Sequence, residues 1–164
     1  MKTIVCLFIF IRPLIAQMDA NKKYLLEQSL PDVCREILQS SNVSNQYQIS
    51  DHLNPFYLEA DFNGDQKIDA AIVVQEKTNR KIGIMIIHGG SKSYHILGAG
   101  KELGNGGDDF AWMDIWKVYR QKQIGKKLKP IVLSGAGIWI EKSESASAIV
   151  YWDGKGYRWY QAGD

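Results

Sequence analysis

A mainly β, α+β fold is predicted: an antiparallel β meander forming two packed sheets or a partly open barrel, preceded by a short helical segment. Three observations predict it. The 164 residues include fifteen Gly, eight Tyr and five Trp, a set that suits strands and tight turns better than a helical bundle. After residue 55 the apolar residues fall in short runs parted by Gly, Asn, Asp and Ser, the spacing of a meander. The connections between these runs are mostly too short for the crossover helices that a parallel sheet requires. With 45% hydrophobic and 23% charged residues, the composition excludes disorder, collagen and coiled coil as readings of the whole chain.

Met1 and Lys2 precede an apolar run from Thr3 to Ile11, and the small Ala16 stands before Gln17. This is the layout of a secretory signal peptide over residues 1–16. The run is shorter than the ~20 residues that span a bilayer, so a secreted or periplasmic protein with no stable membrane span after processing is expected. Lys2 and Arg12 belong to this leader; the 18 basic residues that remain balance 18 acidic ones. A neutral chain lacks the positive face that nucleic acid requires, and the Lys117–Lys129 cluster reads as a solvated loop. Cys34 is then the single cysteine, placed where an amphipathic helix would bury it.

Residues 17–164 contain no dividing linker and read as one β-rich domain with N-terminal helices over about 19–41. Leu26, Leu30, Val33, Cys34, Ile37 and Leu38 recur with helical periodicity. Pro31 interrupts the pattern, which predicts two short helices or one kinked one, with Ser29 or Leu30 as a cap and proline in the first turn. The polar run from Ser40 to Gln46 reads as a connection. Strands are predicted at Phe56–Ala60, Ala70–Glu76, Lys81–His88, Tyr94–Leu97, Ile115–Tyr119, Pro130–Leu133, Gly137–Glu141, Ala146–Trp152 and Tyr157–Gln161. Ile82 to Ile87 is apolar on both faces, which marks a central strand, and Asp153-Gly154 closes a hairpin between Tyr151 and Tyr157.

One loop carries specific chemistry. Asp61-Phe-Asn-Gly-Asp-Gln-Lys-Ile-Asp69 sets oxygen-bearing side chains at its first, third, fifth and ninth positions. Calcium takes six to eight oxygens, and the loop offers Asp61, Asn63, Asp65, the backbone carbonyl of Lys67 and Asp69. Without His or Cys in the set, zinc is disfavoured. Ile72 stands where an EF-hand needs its bidentate glutamate, inside a predicted strand, so the loop is not an EF-hand. The alternative without metal is an Asx-rich turn whose side chains cap their own backbone.

The order strand, Asp-x-Asn-Gly-Asp-x-x-x-Asp, strand resembles the calcium loops of FG-GAP and VCBS repeats, from Tyr57 to Val74. The resemblance implies Ca2+ as a structural cofactor, held by Asp61, Asn63, Asp65, Asp69 and the Lys67 carbonyl. Two departures have consequences. Gln66 stands where the family usually has glycine, at a cost of about 1–2 kcal/mol if a left-handed conformation is kept, which lowers the expected affinity. A propeller repeats its blade four to eight times, and a single loop of this kind excludes a complete one.

The Gly-rich run from Gly98 to Asp109 fails as a Walker loop, because Glu102 follows Lys101 where Ser or Thr is needed, and it lacks the βαβ context of a dinucleotide turn. Asn105, Asp108 and Asp109 are candidate ligands of a second cation or a small molecule; a surface loop is the alternative. Ser134 lacks the glycine two residues before it that a nucleophile elbow requires, and His52 and His88 join no hydrolase triad. Trp152 and Trp159 are either core or a sugar platform. The expected role is non-catalytic, an interaction or scaffolding domain for a protein or glycan partner. Two alternatives stay open: a glycan-binding module using Trp152 and Trp159, and an envelope- or polysaccharide-directed hydrolase with Asp108, Asp109 or Asp114 as acid and base.

Overall fold

Residues 21–28 are helical (α1), and the chain then breaks and restarts as α2 (Asp32–Gln39) in the computed structural model, which describes residues 21–125 and 129–163. The leader expected over residues 1–16 lies outside the described residues. Pro31 is itself the cap of α2, with φ −53° and ψ 150°, rather than a first-turn residue. Its carbonyl accepts the N–H groups of Cys34 and Arg35, and the Arg35 guanidinium bonds the Leu30 carbonyl at 2.7 Å. Cys34 and Leu38 form the buried stripe of α2. Burial, then Glu59, pushes the Cys34 thiol up to about 11, as befits a core residue and not a nucleophile. The expected connection after Ser40 contains one further helical turn, α3 (Ser41–Ser44), which buries Val43.

Two antiparallel sheets follow. In the first, β3 (Asp69–Glu76), β4 (Ile82–Ile87) and β5 (Tyr94–Gly98) are consecutive neighbours. The outer edge of β3 is shared by β1 (Tyr47–Ile49), opposite Val74 to Glu76, and β2 (Tyr57–Ala60), opposite Asp69 to Ile72. The second sheet has the order β11 (Tyr157–Gly163), β10 (Ala146–Trp152), β9 (Gly137–Lys142), β6 (Ile115–Tyr119). A short pair, β7 (Gln123–Ile124) with β8 (Ile131–Val132), stands apart. The expected two packed sheets are therefore present, with no closed barrel.

Side-chain alternation explains the layering. Ala71 and Val73 of β3, with Ile84 and Ile86 of β4, face the second sheet and meet Ile138, Ile140, Ala148 and Val150. Ala70, Ile72, Val74, Met85 and Ile87 face the other way, onto Leu30, Cys34, Leu38 and Val43 of the helical segment. Every residue of β4 is buried, as its two-sided apolar run predicts. The far face of the second sheet is covered in turn, with Ile149, Tyr151 and Tyr160 packing on Ile124, Leu133 and Trp139. Among the described residues no helix is long and apolar enough to cross a membrane.

Candidate functional site

The loop between β2 and β3 is drawn shut by its own carboxylates. Ala60 pairs with Asp69 at its mouth. Asp61 Oδ1 accepts the N–H groups of Gly64 at 2.6 Å and Asp65 at 3.1 Å, and Oδ2 accepts that of Gln66 at 2.9 Å. Asn63 Oδ1 takes the Asp65 N–H and Asp65 Oδ1 the Lys67 N–H, both at 2.9 Å. This last bond leads the causes that hold the exposed Asp65 carboxyl below the usual range. Gln66 has φ 67°, so the left-handed bend at the sixth position is kept despite its side chain.

Asp69 is buried at 1% exposure. Its Oδ2 accepts Phe62 N–H at 2.8 Å and Asn63 N–H at 3.3 Å, and Oδ1 accepts Gly89 N–H at 3.0 Å. Burial nonetheless raises its pKa, with these donors opposing. The loop thus grips the β4–β5 turn on one side. On the other it grips the second sheet: Asp61 O accepts Ala136 N–H at 2.6 Å just ahead of β9, and Gly64 packs on Ser134 so closely that a Cβ would lie 2.7 Å from the Ser134 Cβ. Between these segments lies a cavity of about 200 Å³ lined by Asp61, Arg120, Lys122 and Ser134.

Asp61, Asn63, Asp65, Lys67 and Asp69 therefore share one turn, and their oxygens are the hard donors calcium prefers. Among the described residues, however, no three His, Cys, Asp or Glu side chains gather as a metal-holding group. The donor chemistry fits a hard cation: Asp61 Oδ2, Asp65 Oδ1 and Asp69 Oδ1 each accept one N–H and retain a second lone pair, whereas Asp61 Oδ1 and Asp69 Oδ2 already accept two.

Next to this loop the structure assembles a polar aromatic cluster that sequence reasoning missed. His88 is buried just beyond β4, and its Nε2 shares a 2.8 Å hydrogen bond with the Tyr157 hydroxyl of β11. The His95 ring lies 4.9 Å from that of His88 and 5.2 Å from that of Trp152. Burial, then Asp69 and Asp61, raises the Tyr157 pKa, which places this hydroxyl in the field of the loop carboxylates. His88 and Tyr157 are 69 residues apart, and no local pattern links them. Burial and then the neighbouring His88 hold the His95 pKa below 6.5. A group depressed in the folded state takes up its proton more readily unfolded, so stability falls as pH drops below about 6.5 and is restored above it. Urea denaturation at pH 8 and pH 5 is expected to show this loss in the wild type and a smaller loss in His95→Gln.

The candidates in the Gly-rich segment divide, Asn105 from the two aspartates. Lys81 pairs with Asp108, whereas Asp109 Oδ1 accepts the N–H groups of Ile82 at 2.9 Å and Ala111 at 3.0 Å. Asp114 accepts Ser143 N–H at 2.8 Å and Lys142 Nζ at 3.2 Å. Asp108 and Asp109 thus both engage the start of β4, whereas Asp114 is held at the β9–β10 turn. Asn105, by contrast, meets Trp159 and Trp112 around a cavity of about 290 Å³. Trp152 sits with the histidines instead. The chain matches no family model, no curated protein and no solved structure.

Proposed function

We propose that this chain is an exported, non-catalytic interaction or scaffolding domain whose two sheets are tied together by a structural calcium ion in the Asp61–Asp69 loop. The observation that supports this reading is the position of the loop. It bonds the β4–β5 turn through Asp69 and Gly89 and the β9 approach through Asp61 and Ala136, so an ion placed there closes a junction between sheets. The left-handed Gln66 supports it further, since the chain turns through that bend to bring the Lys67 N–H onto Asp65 Oδ1.

Calcium that binds only the folded state at a hundredfold excess over its Kd adds about 2.7 kcal/mol, or roughly 5–10 °C in Tm for a chain of this size. The expected result is such a rise on adding millimolar calcium to chelator-treated protein, and its loss in Asp65→Ala. Because Asp65 is exposed and makes local bonds only, the variant without calcium should melt within about 1 kcal/mol of the wild type. Equal midpoints for the wild type with calcium and with chelator would overturn the assignment.

A further inference from the structure

We propose that the cleft between Trp112 and Trp159 binds an N-acetylated sugar ring, independently of the calcium loop. The cleft is built. Gly104 and Gly106 of the 3-10 turn Gly104–Gly106 lie against one side of Trp159, where an added Cβ would come within 2.9 Å and 2.3 Å of the indole. Trp112 stands at 71° to Trp159 with ring centres 6.2 Å apart. Both indole N–H groups are already satisfied, Trp112 by the Gly106 carbonyl at 3.2 Å and Trp159 by Gln161 Oε1 at 3.0 Å. The rings are fixed before any ligand arrives, and what they offer is apolar face and edge. Pre-organisation of this kind lowers the entropic cost of binding.

The remaining wall is Ala146 with Gln161, whose amide is already bonded to Trp159, Ser147 and Gly163, and Asn105 and Ser145 stand at the exposed rim. Among the described residues the Asn105 amide and the Ser145 hydroxyl have no hydrogen-bond partner, and Lys142 beside them is held by Asp114. The space, about 290 Å³, is at the small end for ligand sites. A hydroxyl-rich hexose would leave many polar groups unpaired against this wall. An acetamido sugar instead lays its C–H face on an indole, places its methyl on apolar surface, and matches its amide to the donor and acceptor of Asn105. A second cavity of about 330 Å³ borders it at Lys142, Ser145 and Ala146 but extends onto the Trp139 face of the sheet, so the Trp112–Trp159 cleft holds a single ring.

The test is titration of the full-length mature chain with tri-N-acetylchitotriose, N-acetylglucosamine and maltotriose, followed by calorimetry and tryptophan fluorescence. Saturable binding of the trisaccharide and of the monomer is expected, the trisaccharide about tenfold tighter than maltotriose. Asn105→Ala, at an exposed position, should weaken it about fivefold with an unchanged near-ultraviolet circular dichroism spectrum. Trp112→Ala should weaken it further. No saturable response up to ~10 mM, equal binding of maltotriose, or wild-type affinity in folded Asn105→Ala would each overturn the proposal. So would saturation by N-acetyl-leucine amide alone, which would mark the cleft as a peptide side-chain pocket.

Discussion

Replacing Asp69 by alanine is expected to destabilise the fold by about 3–5 kcal/mol, because it strands three N–H donors at once. Phe62 and Gly89 make bonds of 2.8 and 3.0 Å to this carboxylate and Asn63 a longer one, and the acceptor is buried. A stranded buried donor costs about 1–3 kcal/mol. Water reaching the half-buried Asn63 and Gly89 reduces the sum, as does relief from burying a charge, whose cost is visible in the raised pKa of Asp69. Asp69→Asn keeps one acceptor oxygen but turns an NH2 toward a second donor, so it should lie between wild type and alanine at about 1–3 kcal/mol. Urea unfolding in chelator measures both without any contribution from an ion. A cost below about 1 kcal/mol for Asp69→Ala would mean that the loop is not held from its ninth position. Against a total stability of about 5–15 kcal/mol for a domain, the alanine variant should be marginal at growth temperature.

Asp69 also shows where sequence reading succeeds. Its place in the nine-residue pattern is visible in the chain, and so is the strand it opens, because Ala70 to Val74 bury both faces and make one unbroken apolar run. The same reasoning identifies β4, and the Asp153-Gly154 hairpin is legible from turn chemistry: Asp153 Oδ1 accepts the N–H groups of Lys155 and Gly156. Local pattern fails where stabilisation comes from backbone pairing alone. Tyr47–Ile49 lies in a polar stretch and buries only Tyr47; it is a strand because the free edge of β3 is beside it. Gln123–Ile124 is too short to show any period. The His88–Tyr157 bond and the Trp112–Trp159 contact join distant segments, and nothing in either segment marks its partner. Trp159 alternates with Arg158 and Tyr160, which requires two different environments. The structure supplies the inner core margin for Trp159 and the Ile149–Trp139 cluster for Tyr160.

Phe110→Ala should have the second large effect, about 3–5 kcal/mol, and it concerns the segment whose composition misleads most. The run from Gly98 to Asp109 is so rich in Gly, Asn and Asp that it reads as a surface or ligand loop. The structure anchors it through Asp109 and the neighbouring Phe110. Phe110 is fully buried, its N–H donates to the Ile82 carbonyl at 2.8 Å, and Asp109 caps the Ile82 N–H, so the loop is fastened to the first residue of the central strand. Removing the ring leaves a cavity that cannot readily collapse. One neighbour is Gly98, where a Cβ would lie 2.9 Å from the ring, and Trp112 and Trp159 are two more, each held in place by its own indole hydrogen bond. A site that cannot relax pays both the transfer and the cavity cost, which sets the value at the upper part of the range. Phe110→Leu, which refills much of the volume, should cost about 1–2 kcal/mol. The near-ultraviolet circular dichroism of the tryptophans provides the second readout, since Phe110 lies 6.0 and 6.3 Å from the Trp112 and Trp159 rings. If the alanine variant unfolds within about 1 kcal/mol of wild type and keeps that signal, the Gly-rich loop is secured elsewhere and the indole pair does not depend on this side chain for its geometry.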